Sequence, residues 1–209
     1  MVADPTSSTE KSLHKSSRMP VLDGWRAVSI LFVLAAHMLP LGPKTLLLNS
    51  SAGLIGMAIF FTLSGFLITT TLLKHPSTID FIIRRACRIL PLAIIVLVIV
   101  LTARNAPWDY YLVYFSFLEN YLRSYFFPTM THFWSLCVEV HFYAFIAALS
   151  GMFGTKGLQV LPWLAILVTA NKVATGSAIS IETHLRVDEI LVGATLALAF
   201  EGKLGAFGT

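Results

Sequence analysis

Two residues set in apolar surroundings carry the means for acid–base chemistry: His37 in "DGWRAVSILFVLAAHML" and Glu139 in "HFWSLCVEVHFY". An imidazole beside a carboxylate gains basicity and a fixed tautomer, which is what a general base needs before it can take a proton from a hydroxyl. The plainer account of His37 is a neutral ring hydrogen-bonded inside a helix bundle, and that of Glu139 an interfacial carboxylate favoured by a helix start. Arg26 precedes His37 by eleven residues, which puts the two within about 20° of one helix face and about 16 Å apart along the axis. Taken alone, Arg26 also fits a side chain that snorkels to the headgroups. In a helix through Glu139, Ser135 lies one turn earlier and His132 two turns earlier, while His141 points the other way.

Three further stretches carry polar groups. "DFIIRRACRILPL" packs Arg84, Arg85 and Arg88 into two turns. Such a cluster can stop translocation of a span, or it can clamp phosphate, because guanidinium forks bind phosphate oxygens in pairs. "GMAIFFTLSGFLI" places Gly56, Thr62, Ser64 and Gly65 in an apolar helix, a pattern that lets helix backbones approach closely. "HLRVDEILVG" puts Arg186, Asp188 and Glu189 at the start of the last apolar run, either as an internal salt bridge or as groups that bind an acceptor.

The elements that must position these residues follow from composition. The chain of 209 residues is 56% hydrophobic and 12% charged, with a mean hydropathy of +0.76. Soluble domains are about a quarter charged, so the predicted class is an all-α polytopic transmembrane helix bundle. A crossing needs roughly 20 apolar residues. Six windows between charges fit or approach this: 25–41, 51–73, 89–103, 138–153, 158–174 and 185–200. A seventh, 110–118, is too short and reads as a re-entrant or interfacial segment, which requires other helices to cover its backbone. Residues 1–20, rich in Ser and Lys, read as a disordered cytoplasmic tail, and residues 21–209 as one membrane domain.

With the N-terminus inside, ten of the Lys and Arg residues fall on the cytoplasmic face and five outside, in keeping with the positive-inside tendency. The net charge of +4 therefore records topology, and no nucleic-acid partner is implied. The arginine cluster then faces the cytosol, where a nucleotide carrier would arrive, while His37 and Glu139 lie toward the outer half. Cys87 and Cys137 share no metal or CxxC spacing and read as free thiols. The scattered histidines support no metal, and no Gly-rich phosphate loop is present.

"LDGWRAVSILFVLAAH", "IFFTLSGFLI", "RRACRILPL" and "HFWSLCVEVHFY", in that order, resemble the acyltransferase-3 family of multi-pass membrane carbohydrate O-acyltransferases. "LRVDEILVG" resembles a looser fifth signature. The resemblance implies transfer of an acyl group, usually acetyl from acetyl-CoA, to a sugar hydroxyl of a cell-surface or exported glycan at the plasma membrane. It implies His37 as catalytic base, Glu139 as its partner and Arg26 as part of the same motif. Arg85 and Arg88, with Arg84, would contact the CoA phosphates, and Ser64, Trp134, Ser135 and Asp188 would bind substrate.

Family members usually have about ten spans, whereas six are read here, so the chain looks truncated at its C-terminal side. A homo-oligomer or further helices would then complete the bundle. Two rival readings remain at this stage: a small transporter or channel lined by Arg, His and Glu, and an inactive acyltransferase remnant. Ser64 and Ser135 are also candidates to carry a covalent acyl group.

Overall fold

The computed structural model describes residues 20–177 and 180–204; the expected disordered tail falls, Pro20 apart, outside the described residues. All regular structure among the described residues is helical: α1 Pro20–Met38, α2 Leu48–Lys74, α3 Thr78–Ala103, α4 Trp108–Phe115, α5 Phe133–Gly157, α6 Leu161–Ala174, α7 Thr183–Arg186 and α8 Asp188–Phe200. Among the described residues, four helical stretches are long and apolar enough to cross a membrane: α1, α2, α3 and the continuous run Phe133–Ala174. The chain is therefore an all-α membrane protein, as its composition requires. It divides into two compact units, residues 1–56 and 57–209.

In the first unit, α1 and the first turns of α2 meet through small residues. A side chain at Gly56 would press on the Ser29 carbonyl and the Phe32 Cβ, at 2.8 and 2.9 Å, while Gly53 faces the Ala36 Cβ. Without a hydrophobic drive between helices in lipid, such close approach is what holds them. Ser29, the one fully buried residue of α1, turns its hydroxyl back to the Arg26 carbonyl at 2.7 Å.

In the second unit, the later turns of α2 run parallel to α5 and α8. Phe61 meets Trp134, whose ring lies against Arg186, and at the far end Lys74 pairs with Glu201. The run Phe133–Ala174 is a hairpin. Gly154 adopts φ 61° and ψ −158°, a conformation open to glycine at little cost. The far end of α6 then returns to the start of α5, because Lys172 reaches Asp188 beside Arg186. Phe61, Ile68, Phe142, Ile146, Leu161 and Ile190 anchor the larger core cluster.

Several boundaries differ from the hydropathy windows. The third helix starts at Thr78, not 89, capped by Ser77 accepting from the Asp80 amide, so the arginines sit within the helix rather than ahead of it. Pro91 does not end it: the lost backbone bond is tolerated in a membrane helix backed by neighbours. Likewise α5 begins at Phe133, which places Trp134 and Ser135 on its first turn. The windows miss these turns because they stop at charges, whereas a helix stops where its backbone bonds stop. α6 and α8 have 14 and 13 residues, fewer than a crossing needs on its own.

The segment at 110–118 is the eight-residue α4 followed by a turn, too short to cross. One face of it is covered: Tyr114 is fully buried with Leu97, Leu101, Phe133 and Cys137, while Leu112 and Phe115 are exposed. The Tyr114 hydroxyl donates to the Tyr125 carbonyl and accepts from the Phe127 amide.

Candidate active site

His37 stands on the last turn of α1. Its Nδ1 lies 2.7 Å from the Val33 carbonyl, and a carbonyl only accepts, so Nδ1 carries the hydrogen. In the neutral ring the lone pair is then on Nε2. The helix's own backbone thus fixes the tautomer. The end of α1 is tied down by Asn49 of α2, whose amide donates to the Ala36 and Leu39 carbonyls at 2.7 Å each and accepts from the Leu41 amide at 3.2 Å. One side chain thus satisfies carbonyls that every helix C-terminus leaves open. Nothing in the spacing of chemical residues marks Asn49; a lone Asn just past an apolar run was the signal to weigh.

In the second unit, Ser64 of α2 donates its hydroxyl hydrogen to Oε1 of Glu139 on α5 at 2.5 Å, both residues being buried. Glu139 therefore meets a serine one helix away. The Ser135 hydroxyl, expected above it, turns to the His132 carbonyl at 2.8 Å. Ser64 and Gly65 point about 100° apart. While Ser64 faces α5, Gly65 faces α8: a Cβ on Gly65 would collide with the Ile190 carbonyl, and one on Gly193 with the Thr62 carbonyl. This reciprocal contact locks α2 against α8 beside the Ser64–Glu139 pair.

One turn toward the start of α5, the Arg186 guanidinium lies 5.8 Å from the Trp134 ring centroid and pairs with Glu189 at 3.0 Å. Asp188 pairs with Lys172 at 2.7 Å. The expected internal salt bridge exists between Arg186 and Glu189, and Asp188 finds a partner the sequence does not point to.

The three arginines of α3 have different surroundings. Arg85 lies over Tyr143 and Phe81, at 5.6 and 5.8 Å, and heads a groove of about 510 Å³ walled by Ala86, Ile89, Ala144 and Ala147. Arg88 borders a different hollow with Leu92 and Phe133, and Arg84 is exposed.

A second polar group escaped the spacing arguments, because its members come from segments far apart in the chain. Asn120 donates to the Ile181 carbonyl and to Thr183 Oγ1, and Thr183 Oγ1 lies 2.7 Å from His141 Nδ1. Glu119 beside it is fully buried, and neither carboxyl oxygen has a partner among the described residues. Burial pushes its carboxyl up to about 7.

The sequence profile of the acyltransferase domain matches residues 19–175. The chain belongs to this acyltransferase-3 family. The match takes in α1 to α6 and so covers His37, Ser64, the arginines and Glu139. Among relatives, a protein of Staphylococcus aureus strain MSSA476 named "Putative O-acetyltransferase" is 32% identical over 63% of this chain and 24% of its own length. An "O-acetyl transferase" of Shigella phage Sf6 is 39% identical over 38% of this chain and 24% of its own length. A "Putative peptidoglycan O-acetyltransferase" of Bacillus subtilis strain 168 is 29% identical over 91% of this chain and 35% of its own length. The chain thus spans about a quarter to a third of the relatives it matches. No solved structure matches it.

Proposed function

We propose that this chain is the acyl-transferring part of a membrane O-acyltransferase, which takes acetyl from acetyl-CoA and places it on a sugar hydroxyl of a cell-surface or exported glycan. The observation that carries the reading is His37: an imidazole at a helix end, within the matched family region, whose Nδ1 bond to Val33 puts the lone pair of the neutral ring on Nε2. In the proposed reaction Nε2 takes the hydroxyl proton and the freed oxygen attacks the thioester carbonyl. The CoA thiolate leaves and recovers the proton, giving ester and free thiol. Glu139 serves as the carboxylate partner and Arg26 as a member of the same motif. Ser64, Trp134, Ser135 and Asp188 are proposed on the substrate side, and Arg85 and Arg88, with Arg84, on the CoA phosphates.

The protein is read as a plasma-membrane protein with a cytoplasmic N-terminus, which brings the arginines to the cytosolic donor and His37 to an outer acceptor. Relatives named for O-acetyl transfer support the reaction class, and the Arg85 guanidinium at the head of the groove between α3 and α5 supports a phosphate-bearing donor. The test is transfer of labelled acetyl from acetyl-CoA to glycan in membranes containing the chain. Wild type should transfer, and His37→Ala should lower the rate by about 10²- to 10⁴-fold, the usual worth of a general base, at equal membrane abundance. Retained transfer in the variant would remove His37 from the role, and acyl-CoA-independent solute flux in vesicles would favour a transporter.

A further inference from the structure

Two hollows between α3 and α5 are walled mostly by hydrocarbon, and each has an arginine at its border. The first, of about 510 Å³, holds Arg85 with Ala86, Ile89, Ala144 and Ala147. The second, of about 350 Å³, holds Arg88 with Leu92, Ala93, Val96 and Leu136. Ile89 borders both, so the hollows adjoin and make one trough along α3. Val96 lies eleven residues beyond Arg85, about 16 Å along the helix axis. That length matches the hydrocarbon depth of one leaflet, half of a core about 30 Å thick.

The charge of the trough is all of one sign. Arg85 and Arg88 line it, and no acidic residue does. The Arg85 guanidinium rests against the rings of Phe81 and Tyr143, at 5.8 and 5.6 Å. Neither Arg85 nor Arg88 forms an ion pair or hydrogen bond among the described residues. A cation in an apolar setting is costly until an anion or water reaches it, so the complement of this trough is an anionic head on a long hydrocarbon tail.

The source of that amphiphile follows from the walls. Ile82, Leu92 and Val96 are 48, 68 and 42% exposed, and they stand on a helix long and apolar enough to cross the membrane. The trough is thus open sideways, where a chain of the bilayer can enter. A free phosphate would leave the apolar length unfilled. Acetyl-CoA would lay the amides of its arm against alanine, isoleucine and leucine side chains, which offer no hydrogen bonds in return.

We propose that this trough binds an anionic phospholipid of the surrounding bilayer, with its phosphate on Arg85 and Arg88 and one acyl chain running past Ile89 to Val96. The inference goes beyond the proposed function. It shares Arg85 and Arg88 with the proposed donor contact, so lipid and acyl-CoA exclude each other at these side chains.

The full chain in detergent is titrated with phosphatidylglycerol, with phosphatidylcholine as the lipid of no net charge, and bound lipid is counted by native mass spectrometry. Saturable binding of phosphatidylglycerol is expected, at least about fivefold tighter than phosphatidylcholine, the worth of one basic residue near an anionic headgroup. Arg85→Gln combined with Arg88→Gln should weaken it by about thirtyfold on the same scale. Ala144→Phe, which fills the trough and keeps every charge, should weaken it by about tenfold, the worth of two displaced methylenes. Glycerol phosphate, a head without a tail, should compete at least about a hundredfold more weakly than the lipid. Equal binding of the two lipids, equal competition by glycerol phosphate, or unchanged affinity in both the arginine and the Ala144 variants would each overturn the site. The wild-type comparisons stand even if a variant fails to fold. Selective lipid binding by a chain that transfers no acetyl would sink the enzymatic reading and leave the lipid site in place.

Discussion

Ser64 Oγ and Glu139 Oε1 sit 2.5 Å apart in the interior of the larger unit, the hydroxyl donating to the carboxyl oxygen. They come from helices that begin 85 residues apart in the chain, and they tie the glycine-rich face of α2 to the helix that carries the family's Trp-Ser-Leu run. Removing the donor leaves a buried carboxyl oxygen without it. Ser64→Ala should therefore lower stability by about 1–3 kcal/mol, the range for leaving a buried acceptor unsatisfied. Thermal unfolding in detergent would read this; an unchanged midpoint would show that the pair holds nothing together.

Asn49 donates two hydrogen bonds to the end of α1 and accepts one from the turn after it. Asn49→Ala should release the helix end that bears His37 and slow acetyl transfer by about tenfold, in line with the cost of small misplacements of a catalytic group. Because Asn49 positions and does not react, the pH profile of the residual activity should keep its wild-type shape. A changed profile would point to a direct part in proton transfer.

At Gly65 and Gly193 the backbones of α2 and α8 touch. An added methyl at either must push the helices apart, and overpacking of this kind typically costs about 1–3 kcal/mol. Gly65→Ala and Gly193→Ala should each lower the unfolding midpoint. The double variant should lose less than the sum of the two, since the first displacement already makes room for the second. Strict additivity would argue against a shared crossing.

Glu119 titrates in a buried place, at about 7 against an ordinary value of 4.5. Between those values the folded chain holds a proton that the unfolded chain has released. Stability should therefore fall as pH rises from about 4.5 to about 7 and level off above, by an amount of order 3 kcal/mol at most. Glu119→Gln, which stays neutral, should flatten that slope. Unfolding midpoints of wild type and variant across this range provide the check, and parallel curves would remove Glu119 as their source.

Arg85 heads the groove between α3 and α5, whereas Arg84 is exposed. Charge reversal at Arg85 should weaken acyl-CoA binding more than reversal at Arg84, by about tenfold if one charge-assisted bond is lost. Equilibrium binding of acyl-CoA to the two variants decides it. Equal affinities would place the donor elsewhere.

The class of the protein, its lipid setting and the order of its motifs were readable along the chain, because they depend on composition and on residues near one another in sequence. His37 and Glu139 stood out for the same reason: an ionisable group in an apolar run is costly and so conspicuous. Other contacts of those groups were not readable. Val33 fixes the His37 tautomer through a backbone carbonyl, which any residue possesses. Ser64 reaches Glu139, and Lys172 reaches Asp188, only because Gly65, Gly154 and Gly193 let backbones touch or turn. The sequence by itself determined which groups would need a partner; the tertiary structure decided which partner each one met, since that choice rests on how closely distant helices can pack.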